Sequence, residues 1–168
     1  DYTASHLMHK QMSWVGRPLT DHTYITGFAD ADLGGCARTL RSTTGNSGRL
    51  QGPYTNVIIS DSSHRQGCTA DSTPFAEMTS AHSLMKSFLI PAMDIMDAIV
   101  GAGNHRSFFC EDNQSCIQCI KTGRNLTMRH WPRNTGLNFQ SMHECMGAYN
   151  RILPVDIIYT DSKDCLLY

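Results

Sequence analysis

The stretch Tyr24–Asp32, reading Tyr-Ile-Thr-Gly-Phe-Ala-Asp-Ala-Asp, constrains the chain more than any other. It has β-branched and aromatic residues and a glycine but no proline, the signature of a core strand. Period two puts Tyr24, Thr26, Phe28 and Asp30 on one face. The strand ends in carboxylates. Asp30 stays in phase with Phe28 and Thr26, whereas Asp32 lies past the strand, in the turn before Gly34-Gly35, where a structural role suits it. Two later segments, Ala76-Glu77-Met78 and Cys110-Glu111-Asp112-Asn113-Gln114, also carry acids at element boundaries.

The segments after Asp32 are short and extended. Arg41-Ser42-Thr43-Thr44-Gly45 opens a second strand running to about Leu50, and Asn56 to Ser60 reads as a third, with Gly52-Pro53 turning the chain between them. The period then changes. Thr73 is suited to cap a helix and Pro74 to begin it. Glu77, Ala81, Leu84 and Phe88 fall at i, i+4, i+7 and i+11, one stripe of a helix over Phe75 to Ile90. Glu77 therefore lies on the buried side, an expensive place for a carboxylate unless positive charge meets it. Pro91 ends or kinks that helix, and Ala92 to Val100 forms a second piece. Ser107 to Glu111 is a strand, and Asp112 or Asn113 caps the helix Gln114 to Lys121, which ends at Gly123. A basic loop with Trp131-Pro132 leads to a helix over Thr135 to Met146 and a last strand, Val155 to Tyr159. Three strands joined by turns, then strands separated by helical crossovers, predict an α/β fold with a mixed five-stranded sheet. Residues 1–20 read as a lead-in arm and 21–168 as the domain.

The totals narrow the function classes. A length of 168 residues suits one sizeable core. The net charge of −1 gives no global attraction for nucleic acid, so any such contact rests on local patches. The charged fraction of 17% is low, which suits a partner-covered surface or a piece of a larger assembly. The longest apolar run, Phe88 to Val100, holds Pro91, Asp94 and Asp97 and is too short to span a membrane as a helix. The first residue is Asp1 rather than Met, which predicts a chain that is processed, excised or partly observed. Seven cysteines without regular spacing argue against a disulfide framework and for an intracellular, reducing compartment. Cys116 and Cys119 form a Cys-x-x-Cys with no second pair, which reads as two small apolar residues on one helix face.

In an α/β sheet, strand ends and helix starts gather at one edge, where sites form. Asp30, Glu77 and Asp112 would meet there and repel one another by several kcal/mol. A divalent cation resolves this. All-oxygen ligands suit Mg²⁺ or Mn²⁺ rather than zinc. Two such ions about 3.5–4 Å apart form a clamp for phosphoryl displacement. Each acid alone also has a structural reading: a turn residue, a first-turn helix acid and an N-cap.

Four motifs carry a resemblance. Phe28-Ala29-Asp30-Ala31-Asp32-Leu33-Gly34-Gly35-Cys36, Arg41-Ser42-Thr43-Thr44-Gly45, Ser72-Thr73-Pro74-Phe75-Ala76-Glu77 and Glu111-Asp112-Asn113-Gln114-Ser115 resemble, in order and spacing, the ribonuclease H domain of Ty1/copia-type retrotransposon polyproteins. Lys121 to Asn125, Met128-Arg129-His130 and His143-Glu144 resemble the segments that follow in a divergent branch of it. The resemblance runs from about Trp14 to the end. It implies the ribonuclease H-like fold, with helices on both faces of the sheet. It also implies metal-dependent cleavage of the RNA strand in an RNA–DNA hybrid, with Mg²⁺ or Mn²⁺ as cofactor and two ions when active. Asp30, Glu77 and Asp112 match three catalytic, metal-binding positions.

The family's fourth carboxylate follows its last strand. Aligning Ile157 to Lys163 with that segment puts Tyr168 at its position, so that acid is missing, and Asp164 or Asp161 could replace it only with a local shift. Phenol is a poor Mg²⁺ ligand because its pKa is near 10. Arg38, Arg41, Lys121, Arg124 and Arg129 are candidate phosphate contacts, since Leu33 to Ser60 and Asn113 to His143 hold bases and no acid. His105 and His130 are candidate proton-transfer groups. Two readings stand: a hybrid-cleaving nuclease, or a pseudoenzyme of the same fold that serves protein partners in a larger assembly.

Overall fold

The computed structural model describes residues 22–36, 38–124, 139–147 and 153–161. The arm expected at 1–20, Arg129, His130 and Trp131, and Asp164 and Tyr168 lie outside the described residues.

The first strand is central, as its composition requires. β1 (Tyr24–Asp32) pairs antiparallel with β2 (Thr43–Gly52), placing Asp30 opposite Gly45, and parallel with β4 (Arg106–Glu111), placing Gly27 beside Phe109. β3 (Thr55–Arg65) runs antiparallel to β2, and β5 (Val155–Tyr159) parallel to β4. The order is β3-β2-β1-β4-β5, the mixed five-stranded sheet of an α/β fold that the element order predicts. β3 continues five residues past the predicted Ser60, to Arg65. The extension is polar, Asp-Ser-Ser-His-Arg, and pairing with β2 holds it rather than any apolar alternation.

Helix α1 (Thr73–Leu84) begins one residue earlier than the cap reading predicts: Ser72 is the extended residue before it, and Pro74 lies in the first turn. Its buried side carries Phe75, Met78, Ala81 and Leu84, and with them Glu77 and Ser80. Pro91 does not break the path. A π-helical turn, Met85–Leu89, joins α1 to α2 (Ile90–Val100), and the Ile90 N–H reaches back to the Met85 carbonyl. The wider turn accommodates a proline ring that would otherwise crowd the preceding carbonyl and that has no N–H to give. α3 (Gln114–Thr122) follows β4 and closes at Gly123, whose φ of 65° is the left-handed conformation glycine adopts freely. α4 (Phe139–Met142) continues into a second π-helical turn, His143–Gly147.

All these helices share one apolar core with the face of the sheet that carries Ile25, Ala29, Phe109 and Val155. Helical cover on the second face is not among the described residues. That second face pairs Tyr24 edge-on with Phe108, ring centroids 5.2 Å apart, and sets the Arg49 guanidinium 4.9 Å from the Phe28 ring centre.

The helical layer lies close because β1 and β2 offer glycines to it. Gly27 and Gly48 are cross-strand neighbours. Leu84 and Leu89 lie over Gly27, and the Phe88 ring lies over Gly48, where an added Cβ would stand 2.5 Å from three ring atoms. Overpacking of this kind costs roughly 1–3 kcal/mol. Gly48→Ala is therefore expected to lower the unfolding free energy by about that amount, and Phe88→Leu in the same chain to recover part of it, as measured by chemical denaturation.

Candidate metal centre

Parallel pairing of β1 and β4 brings their carboxyl ends to one edge, and α1 starts at that edge. The connection is built to hold α1 there. The Gln66 side chain donates to Thr44 Oγ1 at 3.1 Å and to the Ala76 carbonyl at 2.9 Å, tying the first turns of α1 to β2. One turn after Glu77, Ser80 Oγ donates to the Asp30 carbonyl at 2.8 Å and lies 3.0 Å from Asn46 Oδ1. Residues three apart share a helix face. The bond that fixes Ser80 against the end of β1 therefore also delivers Glu77 to Asp30.

Asp30, Glu77 and Asp112 come together. One carboxylate oxygen from each lies within 4.8 Å of the others, with Glu77 buried and Asp30 and Asp112 half-buried. The capping alternative resolves in favour of Asn113, whose Oδ1 accepts the Cys116 N–H at 3.0 Å and caps α3. Asp112 stands in the acid cluster. Asp32 folds over its own turn, with its carboxylate filling the space a Gly35 side chain would need.

Sequence reasoning left one acid without a role. Glu111, the last residue of β4, has no exposed surface. Period two from Phe109 signals its inward direction. Its Oε1 accepts the Asn113 N–H at 3.1 Å. Burial, with the nearby charges of Glu111, Asp30 and Asp112, pushes Glu77 from 4.5 up to about 9, against a smaller opposing pull from the Ala31 N–H. Burial, helped by Asp112 and Asp30, pushes Glu111 from 4.5 to about 8, against the pull of the Asn113 N–H and the Cys116 thiol. Burial also raises the Cys116 thiol well above its usual value. Cys116 and Cys119 are core-facing side chains of α3, as their spacing suggests.

The residues fit a hard divalent cation. The donor set is all oxygen. Glu77 Oε2 is buried and has no hydrogen-bond partner, and no ion pair to Glu77 or Glu111 occurs among the described residues.

The other sequence candidates are placed as follows. Asp161 is exposed and is not one of the clustered acids. Arg38 and Arg41 are exposed in the β1–β2 connection, at the acid edge. That connection is tightened by the Leu40 N–H to the Cys36 carbonyl at 2.7 Å. Arg65, at the end of β3 opposite Thr43, shares this edge and was not singled out. Lys121 and Arg124 are exposed at the far end of α3, which at 1.5 Å per residue puts them about 13 Å from its start beside Asp112. His105 is not at the site. It precedes β4, at the opposite edge, and its Nε2 lies 2.9 Å from Asp97 Oδ1, bracing the α2–β4 connection. A cavity of about 860 Å³ lies against the second face of the sheet, lined by Thr26, Phe28, Phe108 and Cys110 among others, and none of the clustered acids lines it.

The fold and the site define an α/β domain with a mixed five-stranded sheet and an acid cluster at the carboxyl edge of that sheet. No family model matches the sequence, and no curated protein matches it. Among solved structures, the chain is similar to LC11-RNase H1, isolated from compost by a metagenomic approach, at 14% identity over 84% of this chain and 87% of that one, with a TM-score of 0.49. It is similar to the same enzyme in complex with an RNA/DNA hybrid at 10% identity, over 84% and 88%, with a TM-score of 0.47. It is also similar to the N-terminal RNase H domain of rv2228c from Mycobacterium tuberculosis, fused to maltose-binding protein, at 13% identity, over 84% of each chain, with a TM-score of 0.44.

The raised carboxyls set the pH dependence of the cation-free protein. A group whose folded pKa lies above its unfolded value stabilises fully below the unfolded value, and that contribution is lost as pH rises through the folded one. Glu77 and Glu111 therefore predict unfolding free energy falling from about pH 5 towards pH 8–9, by on the order of 1 kcal/mol per pH unit. Denaturant melts in chelator between pH 6 and 9 measure this, and Glu77→Gln should flatten the slope.

Proposed function

We propose that this chain is a ribonuclease H-like domain of copia-type retrotransposon descent that cleaves the RNA strand of an RNA–DNA hybrid. Its cation would be Mg²⁺ or Mn²⁺, held by Asp30, Glu77 and Asp112. The observation that carries the reading is the convergence of three carboxylates from β1, α1 and the end of β4 within 4.8 Å, one of them buried with an unmet oxygen. The motif order around those same acids supports the choice of substrate. A bound cation supplies Lewis-acid polarisation of a phosphoryl oxygen and an acidified water.

The chain's own residues do the rest. The Ser80 bond to the end of β1 holds the Glu77 turn against Asp30, so the ligands are placed before substrate arrives. Arg38, Arg41 and Arg65, on the same edge and exposed, would contact phosphates of a strand crossing the acids. Lys121 and Arg124 would touch a longer duplex only further along its backbone. A two-ion arrangement needs a further carboxylate, for which Asp161, exposed and outside the cluster, is not positioned.

That position of Asp161 favours a second reading, a ribonuclease H-like domain without cleavage that serves protein partners. One experiment separates the two. A labelled RNA–DNA hybrid is incubated with the chain and Mg²⁺ or Mn²⁺. The nuclease reading predicts cation-dependent cleavage of the RNA strand, abolished by chelator and reduced at least about 100-fold by Asp30→Asn, the loss of several kcal/mol of charge stabilisation. No cation-dependent cleavage, or equal cleavage by the Asn variant, sinks it.

A further inference from the structure

Glu111 sits directly before Asp112, at the end of β4, on the face the helices cover. Its Oε1 accepts the Asn113 N–H at 3.1 Å, and that N–H belongs to the peptide that follows Asp112. Asn113 in turn caps α3 through its side chain. The Glu111 carboxyl thus clamps the backbone on which Asp112 is presented. Its second oxygen, Oε2, is sealed from solvent and meets no N–H or O–H donor, the weakly donating Cys116 thiol being the group beside the carboxyl. Glu77 Oε2 is in the same condition. A buried polar oxygen without a donor costs roughly 1–3 kcal/mol, and more when charged. An apolar residue would fill the place without that cost. Glu111 stands outside the three-way cluster of Asp30, Glu77 and Asp112, so it is a neighbour of the ligands rather than one of them.

We infer that Glu111 is a positioning residue of the cation site, orienting Asp112 through the Asn113 N–H and backing the three ligands with a fourth carboxyl from beneath the sheet edge. Groups behind metal ligands fix the ligands' direction and typically change metal affinity about 10–100-fold when removed. The inner carboxyl lies on the side away from solvent. This role rests on the cation reading of the three-acid cluster.

Mn²⁺ titration followed by electron paramagnetic resonance, at one fixed pH on the full chain, tests it without relying on cleavage. Glu111→Gln keeps an oxygen for the Asn113 N–H and removes the charge. It should not lower the cation-free melting temperature, and it should weaken Mn²⁺ binding about 10–100-fold. Glu111→Asp retains the charge on a shorter arm and should lose less affinity than the Gln variant. Wild-type affinity in the Gln variant overturns the inference. So does a parallel fall of cation-free melting temperature and affinity in both variants, which would make Glu111 a packing residue. A wild-type chain that binds no Mn²⁺ removes the cation reading itself, and this role with it.

Discussion

Four carboxyl groups, on Asp30, Glu77, Glu111 and Asp112, gather where β1, β4 and α1 meet, with no described ion pair to the two buried members. Like charges so placed oppose one another, and burial makes each more expensive to ionise. The surrounding structure is arranged to hold them there nonetheless. Ser80 anchors α1 to the end of β1, Gln66 anchors its first turn to β2, and Asn113 both caps α3 and gives its N–H to Glu111. Removing these polar ties would let the acids part and relieve the repulsion. Their presence means that the fold spends its stabilising contacts on keeping the cluster closed.

The apolar part of the molecule supplies that stabilisation at close range. Gly27 and Gly48 let Leu84, Leu89 and Phe88 rest almost on the sheet backbone. Such dense contact forfeits little dispersion energy and leaves little room for relaxation. The π-helical turn at Met85–Leu89 lets one helical path run from Thr73 to Val100 despite Pro91, so the layer over the sheet is continuous from the acid edge to the far edge. At that far edge, the Asp97–His105 pair fixes the return into β4. The strand that presents Glu111 and Asp112 is therefore held at both ends.

Much of the site was legible because its residues combine a type and a phase. Asp30 continues the alternation of Thr26 and Phe28, and Glu77 lies on the same helical stripe as Leu84 and Phe88. Asp112 follows an apolar strand and precedes a cappable helix. Other features were not legible. Glu111 reads as a strand end, and only the helices packed on Phe109's face turn its inward phase into full burial. The second half of β3 has no apolar alternation, so its pairing with β2 was invisible locally. His105 is close in sequence to β4, but the parallel direction of that strand puts it at the wrong edge for the acids.

The sequence by itself determined the order of elements, the central strand and the three acids, because periodicity and turn chemistry act over a few residues. That those acids converge was expected from the way strand ends and helix starts gather at one sheet edge; only the tertiary structure decided that a fourth lies buried beside them. It also decided which bases share their edge. Those outcomes depend on strand direction and on which face the helices cover, and both are set by long-range pairing that no local pattern carries.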